Sequence, residues 1–132
     1  TVRVFSSTTG DRVEALLRRI ASGVAQAHGC TARVSYERRY PPTVNHSGAT
    51  EALRRAAEAV AGPEGVGTDP FPLPAAEDFA WFLEGTPGSL GLLGNGRAPP
   101  VHTPGFDFDD DALAWGIRCW VTLVQTLLPP DP

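Results

Sequence analysis

The sequence predicts a chain of the α/β (α+β) class, and three observations carry that expectation. Val2 and Val4 alternate with Arg3 in Thr1–Phe5. Val13, Leu16, Leu17, Ile20, Val24 and Ala27 recur at helical spacing. Val34, Tyr36 and Tyr40 stand at even spacing within Thr31–Tyr40. A period of two marks a half-buried strand, and recurrence every three or four residues marks the apolar stripe of a helix. The N-terminal stretch therefore reads as strand, helix, strand.

The elements follow in order. Ser6–Gly10 is rich in turn formers and reads as a break. Asp11, with Glu14 three residues on, has the form of a helix N-cap and its reciprocal partner. Gly29 suits the helix stop. Pro41-Pro42-Thr43-Val44-Asn45 is stiff and extended, because proline fixes its own φ and restricts its neighbour. A domain boundary is placed near Val44–Gly48. A short helix then runs from about Thr50 to Ala61, with Leu53, Ala57 and Val60 on one side, and Gly62-Pro63 ends it.

Glu64–Ala75 reads as loop, and Glu77–Glu84 as a short helix with Phe79, Phe82 and Leu83 inward. Pro87-Gly88 turns into Ser89–Gly94, a candidate buried strand in which glycine permits close approach. Asn95–Pro100 is loop. A long helix from Asp109 to about Leu127 presents Leu113, Ile117, Trp120, Val121, Val124 and Leu127, and the tail Pro129-Pro130-Asp131-Pro132 does not continue it.

Composition bounds the function. The chain has 132 residues, 42% of them hydrophobic and 20% charged, enough for a core and unlike a disordered segment. A net charge of −4 argues against a nucleic-acid footprint, which wants a basic face. All 11 basic residues are arginine, and methionine is absent. The missing methionine and the strand-like start lead us to expect a C-terminal fragment. Cys30 and Cys119 form no C-x-x-C pattern and read as small buried hydrophobes. No run reaches the roughly 18 apolar residues that cross a bilayer, so no membrane partner is expected. A cytoplasmic location is expected.

Few residues offer chemistry. His102 stands ahead of a Pro104-Gly105 bend, in a loop after the glycine-rich run, where open α/β sheets place ligands. Imidazole suits zinc, but a catalytic zinc needs about three protein ligands. His28 fits a helix C-terminus, and His46 lies in the boundary loop. The acidic run Asp107, Asp109, Asp110, Asp111 lacks the spacing and closing glutamate of a calcium loop, and reads as helix capping. Glu77 and Asp78 are adjacent, so on a helix they point about 100° apart and do not flank one bond; a supporting role is expected of them. Arg3 is either surface or a fork that clamps a carboxylate. No nucleophile elbow and no phosphate loop is present.

The pieces Thr1-Val2-Arg3-Val4-Phe5, Tyr40-Pro41-Pro42-Thr43-Val44-Asn45, Glu77-Asp78-Phe79, Pro87-Gly88, and His102 with Phe106-Asp107-Phe108-Asp109-Asp110 stand in one order along the chain. That order resembles the metal-dependent aminoacylase/carboxypeptidase peptidase family, in its branch of hippurate hydrolases, N-acyl-amino-acid amidohydrolases and indole-acetyl-amino-acid hydrolases. The resemblance implies a catalytic α/β domain interrupted by a lid of β-α-β-β-α-β pattern. Residues 1–45 would be the second half of that lid and dimerisation domain. Residues 46–132 would be the C-terminal segment of the catalytic domain.

It further implies amide hydrolysis of small N-acyl amino acids by a metal-activated water. The cofactors would be two divalent metal ions, zinc above all, with manganese, nickel or cobalt as substitutes. His102 would match the last metal ligand, and Arg3 the arginine that holds the substrate carboxylate. Glu77 and Asp78 would support the site, and no catalytic residue is assigned. A homodimer through the lid is implied. The isolated chain is expected to be inactive. Two other readings stand beside this one: a non-catalytic binding or dimerisation module, and a small amino-acid-sensing domain anchored on Arg3.

Overall fold

The computed structural model describes residues 1–67 and 72–128. The expected tail at 129–132 and the centre of the expected 64–75 loop lie outside them. Among the described residues helices account for every regular element: α1 (Ser7–Ala27), α2 (Ser47–Ala61), α3 (Ala80–Leu83) and α4 (Asp111–Leu127), with a 3₁₀ turn at Pro63–Gly65. Among the described residues there is no strand and no sheet. This corrects the α/β expectation and the β-α-β-β-α-β lid with it. The alternating stretches at 1–5 and 31–40, and the run 89–94, are not helical. No backbone ladder joins them among the described residues. Alternation marks the side chains that suit a sheet, but a strand exists only when a second backbone takes up its N–H and C=O groups.

The chain divides into two compact units, Thr1–Val44 with Pro70–Thr86, and Asn45–Asp69 with Pro87–Pro132.

In the first unit, α1 begins earlier than the sequence predicts. Ser6 is its N-cap, in extended conformation, and its side chain accepts from the Thr9 amide at 3.2 Å. Asp11 and Glu14 do not cap. Both pair with Arg38, and Glu14 also accepts from Arg18 at 2.8 Å. Arg18 Nη1 donates to the Val34 carbonyl at 2.9 Å. These bonds tie the extended segment around 34–38 along α1. They take the place of the strand pairing that the sequence predicts. Gly10 is buried where Val4 crosses the helix, leaving 3.5 Å for a would-be Cβ. The predicted apolar stripe of α1 stays open, with Ile20 59% exposed.

In the second unit α2 packs against α4. Ala52 and Ala56, one turn apart and so on one face, are buried, as is Ala112 on α4. The run 89–94 lies against both helices. Leu53 reaches over Gly91, where a Cβ would stand 2.8 Å from Leu53 Cδ2, and Leu93 leans on Gly116. The close approach at Gly91 follows the sequence reading; the burial does not, since Leu92 is 79% exposed. The expected inward Phe82 is likewise exposed. Neither Cys30 nor Cys119 is buried, and both are free thiols.

Candidate functional site

The Ser89–Leu128 part of the second unit carries His102, and its geometry starts from two asparagines. Asn45 Nδ2 donates to the Leu90 carbonyl at 2.9 Å, and Asn45 Oδ1 accepts from the Leu90 amide at 2.9 Å. A primary amide presents a donor and an acceptor side by side, as a peptide unit does. Asn45 thus pairs with Leu90 as a neighbouring strand would. The His46 amide donates to the Gly88 carbonyl at 2.9 Å, beside a Thr50–Ser89 hydroxyl pair at 3.1 Å. Asn95 repeats the device farther on, bridging the backbones of Asp107 and Asp109.

His102 lies between Asn95 and Asp107 along the chain, in an exposed turn. Its φ is 66°, and it is the one non-glycine with positive φ among the described residues. L-residues visit that region seldom, because Cβ crowds the backbone, though histidine does so more than most. Thr103 Oγ1 donates to the Pro100 carbonyl at 2.7 Å, and the Phe106 amide to the Thr103 carbonyl at 3.0 Å. The turn is therefore built from its own hydrogen bonds and leaves the imidazole free of the core. Beyond it, Asp109 Oδ1 accepts from the Asp111 amide at 3.0 Å and starts α4. The acidic run is thus at least in part a helix start.

The other predicted site residues fall in the first unit. Arg3 is exposed. Glu77 and Asp78 precede α3, their carbonyls accepting from the Ala80 and Trp81 amides at 3.1 Å each. The Asp78 carboxylate lies near the Tyr40 hydroxyl and holds that phenol above its ordinary range. Sequence reasoning did not foresee this pair; its members lie too far apart in sequence for any local signal. The first unit also has an open groove of about 250 Å³, lined by Phe5, Pro42, Val44, Leu83 and Glu84 among others. That is below the ~300 Å³ at which ligand pockets begin, and none of the predicted site residues lines it.

Among the described residues no three histidine, cysteine, aspartate or glutamate side chains come together to hold a metal ion. His102 has the donor chemistry and the exposure for one metal ligand, but one ligand does not make a centre. His28 and His46 serve elsewhere, at the C-cap of α1 and the N-cap of α2.

Comparison with known proteins gives the chain its place. Residues 4–126 match peptidase family M20/M25/M40. The chain belongs to that family. Curated relatives agree. An N-acetylcysteine deacetylase of Bacillus subtilis is 33% identical over 130 residues, covering 97% of this chain and 33% of the relative. The amidohydrolase YhaA of the same organism, so named provisionally, is 30% identical over 118 residues, 86% of this chain and 30% of its own length. A Rhodococcus jostii protein named "Putative glutamate–cysteine ligase 2-3" is 33% identical over 129 residues, 95% of this chain but 16% of its own length. The M20/M25/M40 chain thus spans about a third or less of the length of these three relatives. No solved structure matches it at a significant level. No helix among the described residues is long and apolar enough to cross a membrane.

Proposed function

We propose that these residues form the part of a metal-dependent amidohydrolase that supplies one metal ligand, His102, and one substrate anchor, Arg3. The observation that carries the reading is the conformation of His102. Backbone strain in a non-glycine residue persists only where the surrounding structure enforces it, and such residues cluster at functional sites. Here the strained residue is an imidazole, presented to solvent, in a chain of a peptidase family.

The substrate class is a small N-acylated amino acid. Relatives named as deacetylases of N-acetylcysteine and of N-acetyldiaminopimelate support it. The relative named as a ligase shares 16% of its length with this chain, so ligase chemistry is not carried over. A divalent metal, zinc above all, would supply the polarisation of the amide carbonyl and the activation of water. Within this chain, His102 would present its ring nitrogen from a turn whose own bonds fix the backbone. Arg3 would grip the substrate carboxylate with its planar fork, a geometry lysine cannot reproduce. Glu77 and Asp78 would support the site from the start of α3, which their carbonyls begin. The described residues supply one ligand, so the 132-residue chain alone is expected not to hydrolyse amides.

The test is to place His102→Ala in a complete family hydrolase carrying this sequence, and to assay acetylated amino acids with zinc or manganese. Activity should fall by more than the ~10–100-fold that loss of an outer-shell partner costs. Unchanged turnover would sink the reading, as would full activity from the isolated chain. Arg3→Ala should raise KM about 10–100-fold with little change in kcat, as loss of a charged hydrogen-bond pair would. An unaltered KM removes Arg3 from the site.

A further inference from the structure

The loop that carries His102 leaves and returns at a single side chain. Asn95 Nδ2 donates to the Asp107 carbonyl at 2.9 Å, and Asn95 Oδ1 accepts from the Asp109 amide at 2.8 Å. Between them lies 96–106, with His102 near its middle. The closure is tight on both flanks. Gly96 has a φ of 63°, and a Cβ there would stand 3.2 Å from Asp109 Oδ2. The Asp109 carbonyl accepts from the Ala112 amide at 2.9 Å, which joins the returning stem of the loop to the first turn of α4. The departing stem is joined at its other end to Asn45, through Leu90.

These facts separate two jobs. The Thr103 and Phe106 bonds shape the turn, but they are internal to it and do not say where it points. Only Asn95 links the loop's two stems, among the hydrogen bonds of the described residues. An unclosed stretch of this length samples many end-to-end separations, and closing it costs entropy that grows with length. A side-chain amide that bonds two backbone groups removes that freedom at the base.

We propose that Asn95 is the positioning residue for His102: its amide closes the 96–106 loop on Asp107 and Asp109, and so holds the imidazole in its left-handed turn. The proposal rests on the reading of His102 as a metal ligand. Asn95 touches neither metal nor substrate. Its effect on chemistry passes through the orientation of the ring, as second-shell groups act on ligands.

Two variants test it in the 132-residue chain, Asn95→Ala and Asn95→Asp. The aspartate keeps an acceptor for the Asp109 amide and loses the donor to Asp107. The readout is the backbone order parameter and the HN–Hα coupling of His102, with hydrogen exchange of α2 and α4 as the control. In the unchanged chain the His102 order parameter should be near the ~0.85 of rigid backbone, and in Asn95→Ala it should drop below ~0.6. Asn95→Asp should fall between the two. Protection of α2 and α4 should stay the same. If Asn95→Ala unfolds the helices, the aspartate variant decides. An unchanged coupling and order parameter at His102 in a folded variant overturns the proposal.

A second measurement separates this proposal from the reading beneath it. In a complete family hydrolase carrying this sequence, zinc affinity is measured by chelator competition. Asn95→Ala should weaken it about 10–100-fold, and His102→Ala should weaken it further. Loss with His102→Ala but not with Asn95→Ala overturns the role of Asn95 alone. Full affinity in His102→Ala overturns both.

Discussion

The two units of this chain are fastened by different chemistry. In Thr1–Val44 with Pro70–Thr86, the long-range ties are guanidinium groups on carboxylates and a carbonyl: Arg38 on Asp11 and Glu14, and Arg18 on Val34. In Asn45–Asp69 with Pro87–Pro132, they are uncharged: the Asn45 amide on Leu90, the His46 amide on Gly88, Thr50 on Ser89, and the Asn95 amide on Asp107 and Asp109. Exposed ion pairs are screened by salt and fail when a partner changes its proton. An amide clamp titrates with nothing. The difference places His102 on the unit whose long-range ties ignore pH and ionic strength. Arg3, which is exposed, lies on the other.

The largest effect that would break this comparison is on the amide side. Asn45→Ala removes both bonds to Leu90. Two neutral hydrogen bonds together should be worth about 2 kcal/mol of stability in the second unit. Chemical denaturation followed on Trp115 and Trp120 of α4 should show that loss, equal at low and high salt. A loss that shrinks at 1 M salt, where the Debye length is about 3 Å, would mean that charge, not amide pairing, holds this unit.

A smaller effect sharpens the ionic side. The Arg18 guanidinium, and then that of Arg38, hold the Glu14 carboxyl below its ordinary 4.5. A carboxylate whose folded-state pKa is depressed adds stability above its unfolded value, and that stability is lost as pH falls through the folded value. The Glu14 part of the tie between α1 and the 34–38 segment should therefore be whole at neutral pH and lost in acid below 4.5, while the Arg18–Val34 bond remains. Carboxyl NMR of Glu14 should give a midpoint under 4.5, rising toward it in Arg38→Ala. The Leu90 amide should keep its hydrogen-exchange protection across the same range. A Glu14 midpoint at its ordinary value would dissolve the contrast.

The helices were largely legible in the sequence, because a 3.6-residue apolar stripe is a local property. Even so, α1 begins at Ser7 rather than Asp11. Ser6 was hidden in what reads as a turn, and the Asp11–Glu14 spacing imitates a capping pair while both carboxylates answer Arg38, 27 and 24 residues away. The strands at 1–5 and 31–40 were legible as patterns and wrong as elements. Their alternation is real, but no second backbone pairs with them among the described residues.

At the candidate site, the Pro-Gly bend after His102 is a turn, as it reads in the sequence. Its positive φ had no signal in the letters. Asn95, followed by Gly96, reads from sequence as an ordinary loop start. Its partners stand 12 and 14 residues away, and only the folded chain brings them to it. The approach of Asp78 to Tyr40 was equally silent.

The most direct measurement is metal content. In a complete family hydrolase carrying this sequence, the unchanged protein should purify with two divalent ions per chain and His102→Ala with fewer. Equal metal content in the two, with both proteins folded, would show that this imidazole is not a ligand and would remove His102 from the metal centre.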